Sequence, residues 1–237
     1  MELVSGFSTE EALMIHQHGF LPKRGDLTQE QFSRYYRYQH IKATGDQRIA
    51  ALIRYVQSHR AEAPPSQADF NAVAEVWLES EAALAQFCAS PQYQQFRTDE
   101  LNFVDTSRTQ ALTTVDHIIL DGERRRGMVK VMFMIKRKPG LTVADFREHW
   151  LKVHAPLALE EMKPRRYVQC HTIDSVYNFC EPQWDGIGHL WFDDAEAAER
   201  KMAAAARSKA LAEDRDKFIG RSLNLFVIEH ILIWPKE

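Results

Sequence analysis

Apolar positions recur along this chain with two periods, and the switching between them predicts its elements. Val129-Lys130-Val131-Met132-Phe133-Met134-Ile135 is rich in β-formers and predicts a strand from Met128 to Ile135, with Leu13 to Leu21 as an earlier counterpart. Phe146, Trp150, Val153 and His154 fall at i, i+4, i+7 and i+8, one stripe of a helix, and Phe32, Tyr36 and His40 repeat that stripe. Thr28 with Gln31 and Thr142 with Asp145 are N-cap pairs, so helices start there. Pro156 is expected to end the second helix soon after His154, leaving that histidine on the C-terminal turn.

The pattern continues with strands at Arg54 to His59 and Arg166 to Ile173, the latter presenting Tyr167, Gln169, His171 and Ile173 on one face. Third strands follow at Ala72 to Leu78 and Gly186 to Phe192, the second with Ile187, His189 and Trp191 on one face. Helical sequence comes next, at Ser80 to Ala89 and at Ala195 to Ala206 with a continuation to about Phe218. Val115 to Leu120 and Leu225 to Ile233 supply the last strands. Each half therefore reads β-α-β-β-α-β, the ferredoxin-like split unit.

The halves are copies. Leu27-Thr28, Phe32, His40 and Arg54-Tyr55-Val56-Gln57-Ser58-His59 recur as Leu141-Thr142, Phe146, His154 and Arg166-Tyr167-Val168-Gln169-Cys170-His171. Phe103 then matches Phe218, and Asp116-His117 matches Glu229-His230. Copies of this length are duplicated domains and not short solenoid repeats. The expected architecture is α+β: two tandem ferredoxin-like units, residues 1–121 and 128–237, joined by a polar linker at 122–127 and forming one intrachain dimeric α+β barrel. A single pseudo-dimeric chain, or a homodimer of such chains, is the expected assembly.

Composition narrows the function. Hydrophobic residues make up 45% and charged residues 27%, which suits globular domains with sizeable cores. A net charge of −3 gives no electrostatic reason to expect nucleic acid. No apolar run reaches the roughly 18 residues of a membrane helix, so no membrane partner is expected. Met1-Glu2-Leu3-Val4-Ser5 lacks the start of a signal peptide, and Cys88, Cys170 and Cys180 form no CxxC. A cytoplasmic setting is expected.

Lys136-Arg137-Lys138-Pro139-Gly140-Leu141-Thr142, Phe146, Trp150 and His154-Ala155-Pro156-Leu157, followed by Arg166-Tyr167-Val168-Gln169, resemble the signature of EthD-type domains in the dimeric α+β barrel superfamily. The first copy is similar more loosely, with Tyr36 for the tryptophan and His40-Ile41-Lys42 for His-Ala-Pro. It retains Asp99-Glu100 and Phe103-Val104-Asp105, similar to an aspartate-containing late motif of the family, where the second has Asp214-Arg215-Asp216. The resemblance implies the fold more firmly than a reaction. Relatives include decarboxylases acting on aromatic polyketides, cofactor-free monooxygenases, isomerases, cyclases and haem proteins, and a shared fold cannot choose among them.

Histidine is the richest chemical signal, because imidazole titrates near neutrality and can move protons without a cofactor. Three pairs recur: His40 with His154, His59 with His171, and His117 with His230. His154 or His189 is expected to move the proton, Tyr167 to stabilise enolate-like charge, and His171, His40 and Glu75 to complete the acid/base set. Trp150, Trp191, His149, Asp185, Tyr55, Trp77 and His230 are the expected contacts to substrate. Glu75 stands against His189, and Tyr35 against His149, so the two pockets should differ; the second, with the denser histidine set, is favoured for catalysis. His16-Gln17-His18 is the one HxH, and no metal site is expected.

These residues predict a cofactor-independent acid/base enzyme of decarboxylase, dehydratase, cyclase or isomerase type, acting through an enolate-like intermediate on a small aromatic or cyclic ketone. A cofactor-free monooxygenase of similar substrates is the alternative among enzymes. A haem protein with a recurring histidine as axial ligand, or a non-catalytic binding protein, completes the set.

Overall fold

The computed structural model describes residues 14–44 and 51–234; Leu13 and the Met1 to Ser5 segment lie outside them. In the first copy the order is β1 (Ile15–Leu21), α1 (Gln29–Tyr38), β2 (Arg54–Arg60), β3 (Ala72–Leu78), α2 (Glu81–Ala89), α3 (Pro91–Glu100) and β4 (Gln110–Leu120). The second runs β5 (Val129–Arg137), α4 (Val143–His149), α5 (Ala155–Met162), β6 (Arg166–Thr172), α6 (Asp174–Phe179), β7 (Gly186–Phe192), α7 (Ala195–Arg207), α8 (Lys209–Phe218) and β8 (Ile219–Ile233). The chain is α+β. Its strands pair antiparallel in the order β4-β1-β3-β2 in one copy and β8-β5-β7-β6 in the other.

The helix starts follow the cap chemistry. Thr28 accepts from the Gln31 amide while the Gln31 side chain accepts from the Thr28 N–H, a complete capping box. At Thr142 the cap bond to the Asp145 amide forms, but the shorter acid accepts from the Thr142 hydroxyl instead (2.7 Å). Ser90 ends α2 and caps α3, whose Pro91 occupies the first turn, where a missing N–H costs nothing. Sequence periodicity alone did not separate α3.

Pro156 does not end the helix. Trp150–His154 forms a π-helical turn between α4 and α5, closed by a bond from the Ala155 N–H to the Trp150 carbonyl. The wider turn restarts the helix at Ala155, so Pro156 falls in the first turn of α5, where it has no N–H to donate. His154 therefore sits inside a long helical segment and not at its C-terminus.

The chain divides into two compact units, each built mainly from one copy. The first takes residues up to His59, Asp69–Val115 and the chain from His230 onward; the second takes Arg60–Ala68 and Asp116–Glu229. Segment 60–68 is held in the second unit by bonds from the Ala61 N–H to the Phe226 carbonyl and from the Gln67 and Ala68 N–H groups to the Asn224 carbonyl. Leu232 and Ile233 of β8 pack with Leu52, Tyr55, Leu78, Phe87 and Phe96 of the first unit. The second unit has its own core of Val129, Val131, Tyr167, Leu190 and Phe226 against α5 and α7. Among the described residues, no helix is long and apolar enough to cross a membrane.

Candidate active site

Each unit builds the same constellation from a helix, a strand and a late aspartate. In the first, the His40 Nδ1–H donates to Asp99 (2.7 Å), whose other oxygen accepts from the Tyr35 hydroxyl (2.8 Å). In the second, the His154 Nδ1–H donates to Asp214 (2.8 Å), whose other oxygen holds His149 Nε2 (2.8 Å). Each dyad fixes the tautomer and leaves Nε2 as the proton-accepting nitrogen, the arrangement of a general base held by a carboxylate. Burial lowers the pKa of both His40 and His154, offset in part by the aspartate. Burial pushes Asp214 up, but bonds from His154 and His149 bring it below the ordinary carboxylate value.

Behind each dyad runs a glutamine relay along one strand face. Gln169 donates to the Trp150 carbonyl (2.9 Å) and the Tyr167 hydroxyl (2.9 Å), and its oxygen meets His171 Nε2 (3.0 Å). Gln57 repeats this with the Tyr36 carbonyl (3.0 Å), Tyr55 (3.4 Å) and His59 (3.3 Å). All the side chains named on β2 and β6 are buried. His171 lies against His117 (ring centroids 4.3 Å) and stacks on Trp150 (4.8 Å), whereas His59 lies edge-on to His230 (4.8 Å). Burial, reinforced by the neighbouring histidines, holds His171 well below the ordinary value and His59 at about 3, so both are neutral. Burial likewise keeps the Tyr167 and Tyr55 phenols raised and protonated.

The dyads open onto cavities of different size and charge. In the first unit His40 and Tyr55 line a cavity of about 130 Å³ walled by Leu52, Leu84, Phe87 and Phe96. In the second His154, Trp150 and Tyr167 line one of about 60 Å³. Gly19 of β1, paired with Ala74, lines the first; the corresponding Phe133 of β5, paired with Gly188, fills part of the second. The residue after each dyad aspartate also differs. Glu100 lines the first cavity, ion-paired with Arg97, and burial nonetheless raises its pKa to about 7. Arg215 lines the second.

The ring above each relay is matched to the strand beneath. A β-carbon at Gly186 would approach both the Trp150 ring and the Cys170 carbonyl to 2.6 Å, so indole and neighbouring strand together require glycine there. In the first unit Tyr36 and Ala72, both fully buried, take the corresponding places.

The remaining predicted residues lie elsewhere. Ala74, Val76, Gly188 and Leu190 face the cavities, so by strand alternation Glu75, Trp77, His189 and Trp191 face away from them. There Glu75 accepts from Ser58 and lies 3.6 Å from His16, which stacks on Trp77. His189 contacts Cys170 Sγ (3.7 Å), and the Trp191 N–H donates to Glu229 (2.8 Å). Asp185 is fully buried at a strand end, paired with Arg137 and Lys136 and accepting from Tyr177, a structural knot outside the cavity. From sequence, Asp99, Glu100, Asp214 and Arg215 stand out only as a late motif and Gln57 and Gln169 only as repeated strand positions, and none receives a role in the site. Their signal was available: Asp99 and Asp214 stand at the same spacing from the matched Phe103 and Phe218.

The EthD domain model matches residues 24–107 and 138–222, and the chain belongs to the EthD domain family, with two copies in tandem. No curated protein matches it in sequence. An anthrone oxidase-like protein of known structure is similar in fold, with a TM-score of 0.66 at 10% identity over 97% of this chain and 99% of that one. A mutant chlorite dismutase from Candidatus Nitrospira defluvii is similar with a TM-score of 0.58 at 13% identity over 92% of each chain. At these identities the likeness is one of fold.

Proposed function

We propose that the chain is a cofactor-independent enzyme that removes a proton from carbon next to a carbonyl in a small aromatic or cyclic ketone. The supporting observation is that an aspartate-held His40, a near-neutral Glu100 and a protonated Tyr55 line one apolar cavity. His40 Nε2 takes the proton, and Asp99 stabilises the imidazolium. Tyr55 or protonated Glu100 donates to the enolate-like oxygen as charge develops there. Returning the proton to another carbon gives an isomerase, and expelling hydroxide from the neighbouring carbon gives a dehydratase. A β-keto acid that loses carbon dioxide reaches the same enolate without proton removal, and a protonated His40 then delivers a proton to its carbon, which gives a decarboxylase.

The cavity of about 130 Å³ has room for roughly nine to thirteen water-sized groups at about 10–15 Å³ each, a single substituted ring. That size, with Glu100, favours the first unit over the second, against the preference drawn from histidine density. Both cavities fall below the usual ligand pocket of about 300–1,000 Å³, and this speaks against haem at His40 or His154.

Incubation with a panel of single-ring ketones in deuterium oxide, followed by NMR, tests the proposal. Exchange at the carbon next to the carbonyl is expected in the native protein and abolished in His40→Ala. Exchange that survives in His40→Ala and Glu100→Gln overturns the reading.

Oxygenation is the second reading, favoured by the fold shared with an anthrone oxidase-like protein. The same carbanion would react with molecular oxygen, one oxygen atom becoming the carbonyl and the other leaving as water. Oxygen consumption that depends on His40 would single it out.

A further inference from the structure

The second cavity carries a charge that nothing in the protein uses. Arg215, in the last turn of α8, lines it beside Phe133, Ile135, Leu190 and Leu211. Its guanidinium has no hydrogen bond or ion pair with any of the described residues. The adjacent carboxylate, Asp214, has one oxygen on His149 and the other on His154. The half-buried Arg215 thus borders an apolar space without an anion, an arrangement whose desolvation cost a bound anion would offset.

The geometry points to a second ligand site in this unit that takes a short-chain monocarboxylate, its carboxylate on Arg215 and its alkyl end among Phe133, Leu190 and Met202. Size sets the chain length. A cavity of about 60 Å³ holds roughly four to six water-sized groups at about 10–15 Å³ each, the heavy-atom count of acetate to isobutyrate. Chemistry favours a carboxylate over phosphate, because the lining offers a single cation, Arg215, and its other polar groups, the Ser222 hydroxyl, the Tyr167 phenol, the Trp150 indole N–H and the His154 ring, stand amid hydrocarbon. The first unit differs in this respect: Glu100 holds the place of Arg215, and the arginine that lines its cavity, Arg97, is already ion-paired with Glu100.

Methionine methyl NMR on the full chain tests the site, because Met162 and Met202 line the cavity. Isobutyrate at neutral pH is expected to shift both methyl signals saturably, and isobutyramide, of the same shape and uncharged, is not. Arg215→Gln is expected to weaken isobutyrate roughly 10- to 100-fold, the loss of charge-assisted hydrogen bonds, and Arg215→Lys by less. The methyl spectrum of each variant reports that it is folded. Equal shifts with the amide, undiminished binding in folded Arg215→Gln, or no shift at Met162 and Met202 overturns the site.

Discussion

The two units share a scaffold and differ in what they place against it. Both hold a histidine on an aspartate and a glutamine relay behind a strand tyrosine. Gly19 against Phe133 sets the room, and Glu100 against Arg215 sets the charge. Repetition thus preserved the dyads and relays, which need exact hydrogen-bond geometry, while size and charge diverged at positions outside them. A duplicated site can in this way acquire a second ligand without losing its fold.

The largest expected effect separates the units by chemistry. His40→Ala and Glu100→Gln should each lower the exchange rate by about 10²–10⁴-fold, the usual weight of a positioned acid or base. His154→Ala should stay within about threefold of the native rate. Equal losses at His40 and His154, measured by the same NMR assay, would falsify the assignment of catalysis to the first unit. Next in size is Gly19→Phe, which copies the Phe133 filling into the first cavity. Displacing a ring worth roughly 2–3 kcal/mol of burial should weaken a single-ring ligand about 30- to 150-fold by calorimetry, and unchanged affinity would place the ligand elsewhere.

Stability tests the shared scaffold. Gln169→Leu leaves the Trp150 carbonyl and the Tyr167 and His171 side chains without their common partner, at a cost of about 2–3 kcal/mol in urea unfolding. Gln57→Leu should cost the same to within about 1 kcal/mol, and a wider gap breaks the equivalence of the relays.

The last test is in pH dependence. His59 is held neutral with a pKa near 3, below the ordinary 6.5, so the unfolded chain binds the extra proton and stability falls as pH drops below about 6.5. Glu100 works in the opposite sense. With its pKa raised from 4.5 to about 7, the folded state binds the extra proton, and stability falls as pH rises across that window. In thermal melts Glu100→Gln should therefore gain stability relative to the native protein as pH rises from 4.5 to 7, and a difference that stays constant there would show that Glu100 ionises as freely folded as unfolded.

Strands and caps were legible because they depend on neighbours in sequence. Ala72–Leu78 and Gly186–Phe192 stand where alternation puts them, and Thr28 and Thr142 begin their helices. The dyads were half legible. His40 and His154 declared themselves by recurrence, but their aspartates lie 59 and 60 positions away, and only folding brings them together. Strand alternation grouped Tyr167, Gln169 and His171 correctly, yet it could not say that Glu75 and His189 face away from the helix-lined cavities. The π turn escaped because Pro156 normally signals an end, and one added residue per turn shows in no hydrophobic pattern.

Segment 60–68 belongs to the second unit, and the chain from His230 onward to the first. On a ribosome this fixes an order of completion. The first unit has its dyad before the linker, but Leu232 and Ile233, which pack around Tyr55 and Phe87, emerge only after the whole body of the second unit. A chain stopped at the linker therefore carries the His40–Asp99 pair in a unit that still lacks the packing behind Tyr55 and Phe87.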